Sequence, residues 1–205
     1  MSGNPYDVVR QFESALCEYT GAKHAVTVTS CTMAILLACE YLNTTAGMRP
    51  LTISIPKRTY VGVAQSVLHA GCRLKFRDQD WRGGYKLEPY SVWDYARRFT
   101  SGMYVEDTIQ CLSFHHSKIL SISTHGGALL TDFDQAARWF RIMRFDGRHE
   151  GVSACDDVTT VRGYHCYLTP PAAAEGLLRL SVLPRHNDDL PPSDYPDLSL
   201  QPIFQ

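Results

Sequence analysis

The amino-acid sequence predicts an α/β fold with a mostly parallel central sheet and helices on both of its faces. Three short segments, 24–29, 51–56 and 72–78, are predicted to be strands, and the first two are rich in β-branched residues. Between them lie two largely apolar segments of helical length, 32–42 and 61–71. Strands that alternate with helices of this length are typical of parallel sheets, in which each helix crosses a sheet face to reach the next strand.

The rest of the chain continues this alternation. A first helix is predicted over 7–20, because apolar residues recur there at helical spacing and Gly21 follows them. Further along the chain we expect helices near 90–99, over 134–145 and over 170–180, and strands over 102–107, 111–115 and 127–132. The last of these strands follows its neighbour after a short turn and is therefore predicted to pair with it in antiparallel orientation.

One large domain is predicted over residues 1–183, followed by a tail over 184–205. The tail is rich in proline and aspartate, a composition that indicates an extended or mobile segment. Apolar side chains make up 44% of the 205 residues and charged side chains 20%, as expected of a globular core, and the net charge is −1. So small a charge gives no electrostatic reason to expect binding to nucleic acid or to a membrane surface.

The seven cysteines are interpreted as free thiols. Their number is odd, their spacing is irregular and no C-x-x-C pair occurs, so neither a disulfide framework nor a metal site is predicted. No secretory signal and no segment of membrane-spanning length is recognisable. We therefore expect a protein of the reducing cytoplasm.

Several polar residues fall at predicted strand ends, where parallel sheets bind their ligands. Ser30, Cys31 and Thr32 join a strand to the start of a helix, where free N–H groups attract phosphate. Lys118 lies in an otherwise apolar stretch, and further polar residues near predicted strand ends are Tyr60, Asp107 and Ser113. Pyridoxal phosphate needs such a set: an amine for its aldehyde, a carboxylate for its ring nitrogen, an aromatic cover and hydroxyl groups for its phosphate.

Each of these residues also has a simpler interpretation. A serine or threonine before a helix is most often an N-cap, and a lone lysine most often lies at the surface. Tyr60 alone suits partly buried packing, and Asp107 alone suits a turn. Spacing and composition by themselves leave both interpretations open.

Six segments, in the same order, resemble those of the DegT/StrS family of nucleotide-sugar aminotransferases, which are fold-type I pyridoxal phosphate enzymes. The resemblance runs from about residue 9 to residue 180. Its segments are YTGAKHAVTVTSCTMAILLA, ISIPKRTYVGVAQSVLHAGCRLKFRDQD, VEDTIQ, LSFHHSKIL with the later GGALLTD, MRFDGR, and GYHCYLTPPAAAEGLLRL. It implies the large domain of that fold, with most of the small domain absent.

The resemblance also assigns roles to individual residues. Lys118 would be the Schiff-base lysine, Asp107 the partner of the pyridine nitrogen and Gln110 a neighbour of the ring oxygen. Tyr60 would cover the face of the ring. The residues expected around the phosphate are Ser30, Cys31, Thr32, Ser113 and, from a second subunit, His165.

Two of these positions depart from the family. Cys31 stands where the family has a glycine, which narrows the expected phosphate pocket. His165 replaces an asparagine that reaches the phosphate bound by the neighbouring subunit, and histidine can still donate a hydrogen bond there. We therefore expect a homodimer with a shared active site.

The resemblance implies transfer of an amino group from an amino acid donor to a keto group, with a keto-sugar nucleotide as the acceptor typical of the family. Dehydratases of the family have histidine at the position of Lys118, so the lysine argues against that branch. Absence of the small domain would leave the site open to water. Two alternatives therefore remain: another pyridoxal phosphate reaction, such as decarboxylation or elimination on a large substrate, or a non-catalytic binding protein.

Overall fold

The structure, a computed structural model, describes residues 4–47 and 49–205. Within these residues it contains five α-helices, α1 (Asp7–Thr20), α2 (Cys31–Thr45), α3 (Val61–His69), α4 (Asp134–Arg144) and α5 (Pro170–Ser181). Each of them overlaps a helix predicted from the spacing of apolar residues. Helix α1 ends at Gly21, whose φ of 84° lies in the left-handed region that closes helices.

The described residues also form seven strands, β1 (His24–Val28), β2 (Thr52–Pro56), β3 (Arg73–Arg77), β4 (Tyr85–Lys86), β5 (Val92–Asp94), β6 (Ile109–Ser113) and β7 (Gly127–Thr131). Five of them form one sheet in the order β1-β7-β6-β5-β4, and β2 and β3 form a separate parallel pair. Ser54 of β2 and Glu88, just after β4, exchange two backbone hydrogen bonds and so join the pair to the sheet.

Most strands run in the same direction. Strand β7 is antiparallel to both of its neighbours, β1 and β6, whereas β5 and β6 are parallel. Strand β4 is antiparallel to β5, and the antiparallel bridge between Ser54 and Glu88 gives β2 and β3 the direction of β5. Five strands therefore share one direction. This confirms the predicted fold class and the antiparallel orientation of the strand over 127–132.

Two predicted elements are wrong. The helix expected near 90–99 is replaced by β5 and a turn, because Val92 and Trp93 favour extended backbone and pair with Ile109 and Gln110 of β6. Residues 102–107 form a loop instead of a strand. Gly102 adopts a φ of 67° and Asp107 a φ of 59°, neither of which is compatible with a regular strand.

The helices cover both faces of the sheet, as predicted. Residues of α2, α3 and α4 pack into one apolar cluster, and residues of α1 and α5 pack into a second cluster. A close approach joins the two helices of the second cluster, since a Cβ atom added to Gly176 would lie 2.6 Å from the ring of Phe12. Glycine is therefore required there to bring α5 against α1.

A buried ion network ties α1 to α4 and β1. Glu13 is 4% exposed and Arg144 is 1% exposed. The Glu13 carboxylate accepts hydrogen bonds from the Thr27 N–H at 2.9 Å, from Arg141 at 2.6 Å and from Arg144. Burial alone would raise the pKa of Glu13, but the guanidinium groups of Arg144 and Arg141 outweigh burial and lower that pKa. The carboxylate is thus held in its ionised form inside the fold.

Residues 189–204, here named the strap, are extended but held against the large domain. The N–H of Leu190 donates to the carbonyl of Arg97 at 2.9 Å, and the N–H of Leu198 donates to the carbonyl of Lys57 at 2.9 Å. Leu198 is buried, and two short 3-10 helices close the segment, Leu198–Leu200 and Pro202–Phe204. The strap is therefore extended and packed into the fold. None of the helices in the described part of the chain is long and apolar enough to cross a membrane.

Candidate active site

A cavity of about 400 Å³ lies where β1, β5 and β6 end. The carboxyl ends of parallel strands are the edge at which α/β sheets bind ligands, and the volume suits a small molecule. Six of the residues predicted for the site line this cavity: Ser30, Cys31, Thr32, Tyr60, Ser113 and Lys118. The structure thus brings together most of the set that the sequence indicated.

Lys118 enters the cavity from the turn between β6 and β7. Its backbone N–H donates to the carbonyl of His115 at 2.9 Å, which fixes the turn. Burial lowers the pKa of Lys118, and the positive charge of Arg97 lowers it further, although the opposing influence of Asp94 limits the change. A lowered pKa increases the fraction of neutral amine, the form that attacks carbonyl carbon.

Asp94, at the end of β5, provides the carboxylate of the cavity. It is 4% exposed. Its Oδ1 accepts from the N–H of Ala96 at 2.9 Å, and its Oδ2 accepts from the hydroxyl of Tyr85 at 2.9 Å. Burial raises the pKa of Asp94, and no cationic side chain of the described residues forms an ion pair with it. The site therefore holds a buried carboxylate that a cationic ligand would complement.

The start of α2 forms another wall. Ser30 is the N-cap of α2, and its Oγ accepts from the N–H of Met33 at 3.1 Å. Cys31 is buried beside Asp94, with Sγ 3.8 Å from Oδ1, and burial raises the pKa of this thiol well above its ordinary value. Thr32 follows within the first turn of the helix. Together they present small polar groups at a helix N-terminus, which suits an anion.

Tyr60 and Thr32 approach one another across Gly62. A Cβ atom added to Gly62 would lie 2.7 Å from the Tyr60 ring and 3.1 Å from the Thr32 hydroxyl. The ring of Tyr60 is 52% exposed and lies 6.4 Å from that of Tyr195 in the strap. Tyr60 therefore stands at the mouth of the cavity, where it can cover a flat ligand.

Asp107 does not lie in the cavity, which corrects its predicted position. It precedes β6, whereas Ser113 and the cavity lie at the other end of that strand. At about 3.3 Å per residue, the five residues of β6 keep the two ends far apart. The N–H of Asp107 donates to Asp132 at 2.9 Å. The sequence predicts a strand over 102–107 with Asp107 at its carboxyl end, whereas these residues form a loop.

Gln110 is also outside the cavity. It is fully buried, and its side chain donates to the hydroxyl of Thr108 at 3.1 Å. Successive residues of a strand point to opposite faces, so Gln110 faces the cluster with α1 and α5, while its neighbour Cys111 faces the cluster with α2. The expected contact of Gln110 with a ring oxygen is therefore wrong for this structure.

His165 lies at the surface of its own chain, away from the cavity. Its side chain is 72% exposed and its Nδ1 lies 2.8 Å from Asp146. An exposed position is compatible with the predicted contact to a second subunit, which stays a prediction.

Several residues of the cavity were not predicted from the sequence. Besides Asp94, they include Arg97 after β5, Trp81 after β3, and Ser193 and Tyr195 of the strap. Asp94 could have been found, because Val92 and Trp93 form a short strand-like run that ends in a carboxylate. The strap residues carry no such pattern, since their position depends on how the tail folds back.

A larger and more open groove lies between α1 and α4, but its lining does not combine an amine of lowered pKa, an unpaired buried carboxylate and a helix N-terminus. Its volume is about 730 Å³ and its lining is mainly basic. Most charged groups along it are already paired, as Glu13 is with Arg141 and Lys23 with Asp134. The smaller cavity around Lys118 is therefore the candidate active site.

Comparisons with known proteins identify the family of the chain. Residues 3–93 and 98–189 match the DegT/DnrJ/EryC1/StrS aminotransferase family. The four residues left out of this match include Asp94 and Arg97. A stretch of 70 residues, 34% of this chain and 18% of the relative, is 37% identical to a UDP-4-amino-4,6-dideoxy-N-acetyl-beta-L-altrosamine transaminase of Campylobacter jejuni. A stretch of 72 residues, 35% of this chain and 18% of the relative, is 36% identical to the spore coat polysaccharide biosynthesis protein SpsC of Bacillus subtilis.

Solved structures share the fold at low sequence identity. AtS13 from Actinomadura melliaura has a TM-score of 0.76 and 19% identity, covering 86% of this chain and 60% of its own. PseC of Helicobacter pylori is an aminotransferase involved in the biosynthesis of pseudoaminic acid. It has a TM-score of 0.67 and 18% identity, and the match covers 88% of this chain and 58% of PseC. The chain thus spans about three fifths of these structures. It belongs to the DegT/DnrJ/EryC1/StrS aminotransferase family.

Proposed function

We propose that this chain is a pyridoxal phosphate-dependent aminotransferase, which moves an amino group from an amino acid to the keto group of a sugar nucleotide. The observation that carries the proposal is the meeting of Lys118, Asp94 and the N-terminus of α2 in one cavity. Membership of the family supports aminotransferase chemistry. A sugar nucleotide as acceptor is supported by the activity named for the Campylobacter relative.

The residues of the cavity fit pyridoxal phosphate. The Asp94 carboxylate is buried without a cationic partner, which suits a protonated pyridine nitrogen. The start of α2 offers backbone N–H groups beside the hydroxyls of Ser30 and Thr32, which suits a phosphate. Lys118 offers an amine of lowered pKa, which suits a bond to an aldehyde.

When bound, pyridoxal phosphate supplies an aldehyde that can carry an amino group and a cationic ring that withdraws electrons. Asp94 would keep the ring nitrogen protonated, because an ionised carboxylate stabilises an adjacent cation. Lys118 Nζ would accept and return protons, because its lowered pKa increases the fraction of neutral amine. Ser30, Thr32 and Ser113 orient the group through its phosphate.

The strap closes one side of the cavity. Ser193 and Tyr195 line the cavity, and the ring of Tyr195 lies 6.5 Å from that of Trp81 at an interplanar angle of 16°. This aromatic wall limits the access of water to the reacting groups. It supports an enclosed catalytic site rather than an exposed remnant.

We further propose that the protein is a homodimer of the reducing cytoplasm. The exposed side chain of His165 suits a contact with the phosphate held by the other subunit. The free cysteines of the described residues suit a reducing compartment.

An absorption spectrum tests the proposed function. Purified protein mixed with pyridoxal phosphate should gain a visible band that borohydride removes, with the cofactor fixed to Lys118. An amino acid donor should then convert the bound cofactor to its pyridoxamine form, and a keto-sugar nucleotide should restore the band. Release of carbon dioxide or of an elimination product without this conversion would favour a different pyridoxal phosphate reaction. Absence of any covalent cofactor would contradict the proposal.

A further inference from the structure

Arg97 occupies a fixed position in the wall of the cavity. It follows Asp94 by three residues and lies beyond the end of β5. Its backbone is held on both sides, since its N–H donates to the carbonyl of Gly83 at 3.0 Å and its carbonyl accepts from Leu190 of the strap at 2.9 Å. The side chain therefore starts from a rigid point and lines the cavity beside Lys118.

The guanidinium of Arg97 is not neutralised by the protein. Its Nη1 donates to the hydroxyl of Ser193 at 3.0 Å, and its Nε is buried without a hydrogen-bond partner. Among the described residues no carboxylate lies within ion-pair distance of it, whereas the next residue, Arg98, pairs with Asp189 at 3.2 Å. A partly buried cation with an unsatisfied N–H group is costly unless an anionic ligand completes it.

The ring nitrogen and the phosphate of the cofactor are already complemented elsewhere in the proposed site. Asp94 complements the ring nitrogen, and the start of α2 complements the phosphate. Arg97 thus remains as a positive group close to Lys118, the place where the nitrogen of an amino donor would be exchanged. In an α-amino acid the carboxylate is two bonds away from that nitrogen, so a group beside the lysine is well placed to meet it.

We propose that Arg97 binds the α-carboxylate of the amino donor and thereby selects α-amino acids over simple amines. This inference rests on the proposed function. Guanidinium and carboxylate match as planar groups that share two hydrogen bonds, and Arg97 has Nε free for one of them. Ser193 of the strap accepts a hydrogen bond from Nη1 of Arg97 and so helps to orient the guanidinium.

A pair of donors that differ only in the α-carboxylate tests the inference. We would load the protein with pyridoxal phosphate and measure the rate of conversion of the cofactor by L-glutamate and by 4-aminobutyrate, which keeps the distal carboxylate. The ratio of the two rates should fall about 10-fold to 100-fold in Arg97→Gln, in line with loss of a hydrogen bond to a charged group. Arg97→Lys should retain part of the ratio. Arg98→Gln, the matched control, should leave it unchanged.

A second measurement uses the protein without cofactor. The pH dependence of Lys118 arylation by trinitrobenzenesulfonate, in which the neutral amine displaces sulfite, should shift to higher pH in Arg97→Gln, because a neighbouring cation is removed. Propionate should produce a similar shift in the wild type by neutralising Arg97, and none in Arg97→Gln. Lack of this propionate effect, or an unchanged donor ratio in Arg97→Gln, would overturn the inference.

The two proposals can fail separately. If the wild type forms no covalent link with pyridoxal phosphate, the proposed function fails, and the propionate measurement still decides whether Arg97 binds a carboxylate. If the link forms and Arg97→Gln keeps the full preference for L-glutamate, the proposed function stands and the role of Arg97 is wrong.

Discussion

The hydroxyl of Tyr85 donates a hydrogen bond of 2.9 Å to Oδ2 of Asp94 and lies 2.6 Å from the hydroxyl of Thr59. Tyr85 is 1% exposed, so this contact is shielded from water. The second oxygen of Asp94 accepts from the N–H of Ala96. Both carboxylate oxygens are thus fixed in direction, and the two hydrogen bonds offset part of the increase in the pKa of Asp94 that burial causes.

Tyr85→Phe should weaken cofactor binding and shift its pH dependence. Burial raises the pKa of Asp94 and the Tyr85 hydroxyl lowers it, so loss of the hydroxyl should raise that pKa further. Binding of the cofactor needs the ionised carboxylate of Asp94, so binding is lost as the pH falls through the pKa of Asp94. In the variant this loss should begin at a higher pH. A titration of cofactor affinity against pH should show this, with a decrease of about tenfold for one hydrogen bond to a charged group.

Tyr104→Phe provides the matched control for this titration. Tyr104 also donates to an aspartate, Asp132, at 2.9 Å, but near Asp107 and outside the cavity. Its removal should leave cofactor affinity and its pH dependence unchanged. Equal effects of the two variants would mean that Tyr85 acts only through general stability.

Asp94→Asn and Asp107→Asn separate the two candidates for the carboxylate beside the ring nitrogen. Asp94→Asn removes the charge inside the cavity and should weaken cofactor binding at least about tenfold, since a charge-assisted contact is lost. Asp107→Asn should have no such effect, because asparagine tolerates the φ of 59° at this position and the residue lies at the other edge of the sheet. Equilibrium dialysis with pyridoxal phosphate measures both. The reverse order of effects would restore Asp107 as the site residue.

Lys118→Ala should abolish the covalent link to pyridoxal phosphate while the protein stays folded. The side chain is partly buried in a cavity rather than packed in the core, so its loss should change the free energy of unfolding by less than about 1 kcal/mol. Mass spectrometry after borohydride treatment reads out the link, and circular dichroism reads out the fold. Lys75→Ala, at an exposed position of β3, is the control and should keep the link.

Glu13→Gln should destabilise the protein by about 1–3 kcal/mol at neutral pH, because the buried Arg144 loses one of its two carboxylate partners and keeps only Glu150. The pKa of Glu13 is lowered from 4.5, so its ionisation stabilises the fold above that pH and this contribution disappears as the pH falls through the lowered pKa. Urea unfolding should therefore show the wild type and the variant converging in acid. A constant difference between pH 7 and pH 3 would show that the charge of Glu13 is not responsible.

His165→Ala tests the proposed contact between subunits. The side chain is exposed, so the substitution should leave folding unchanged and lower cofactor affinity only in the dimer. Sedimentation velocity at working concentration measures the assembly, and dialysis measures the affinity. An active monomer, or a dimer in which the variant binds the cofactor normally, would exclude this role for His165.

Much of the fold could be predicted because it follows from local patterns. The apolar spacing of α1 and α4 and the β-branched runs of β1 and β2 specify their elements whatever lies around them. Strand β5 was missed because three residues carry little periodicity and its extended form depends on pairing with β6. The wrong prediction of a helix near 90–99 also affects the predicted site. It hides Asp94 at the end of a strand, and the resemblance of VEDTIQ to the family assigns the role of the carboxylate to Asp107.

Lys118, Ser113 and the start of α2 were predicted correctly as neighbours because they lie close to strand ends in the sequence pattern. Arg97, Ser193 and Tyr195 could not be predicted in this way. Their meeting in the cavity depends on a backbone contact between Arg97 and Leu190, which are far apart in the sequence and carry no shared motif. Long-range contacts of this kind are set by packing rather than by local preference.

The strap also sets an order of events during synthesis on the ribosome. Every other residue of the cavity, up to Gly126, emerges before Ser193 and Tyr195. Because domains fold as units and N-terminal segments leave the ribosome first, the large domain can fold before the strap is available, and at that stage the cavity lacks the wall that Ser193 and Tyr195 supply. During that stage any small aldehyde in the cell can compete for Lys118. A cofactor molecule that binds at this stage could already place its phosphate at the start of α2. The strap would then fold over the cavity and enclose the cofactor.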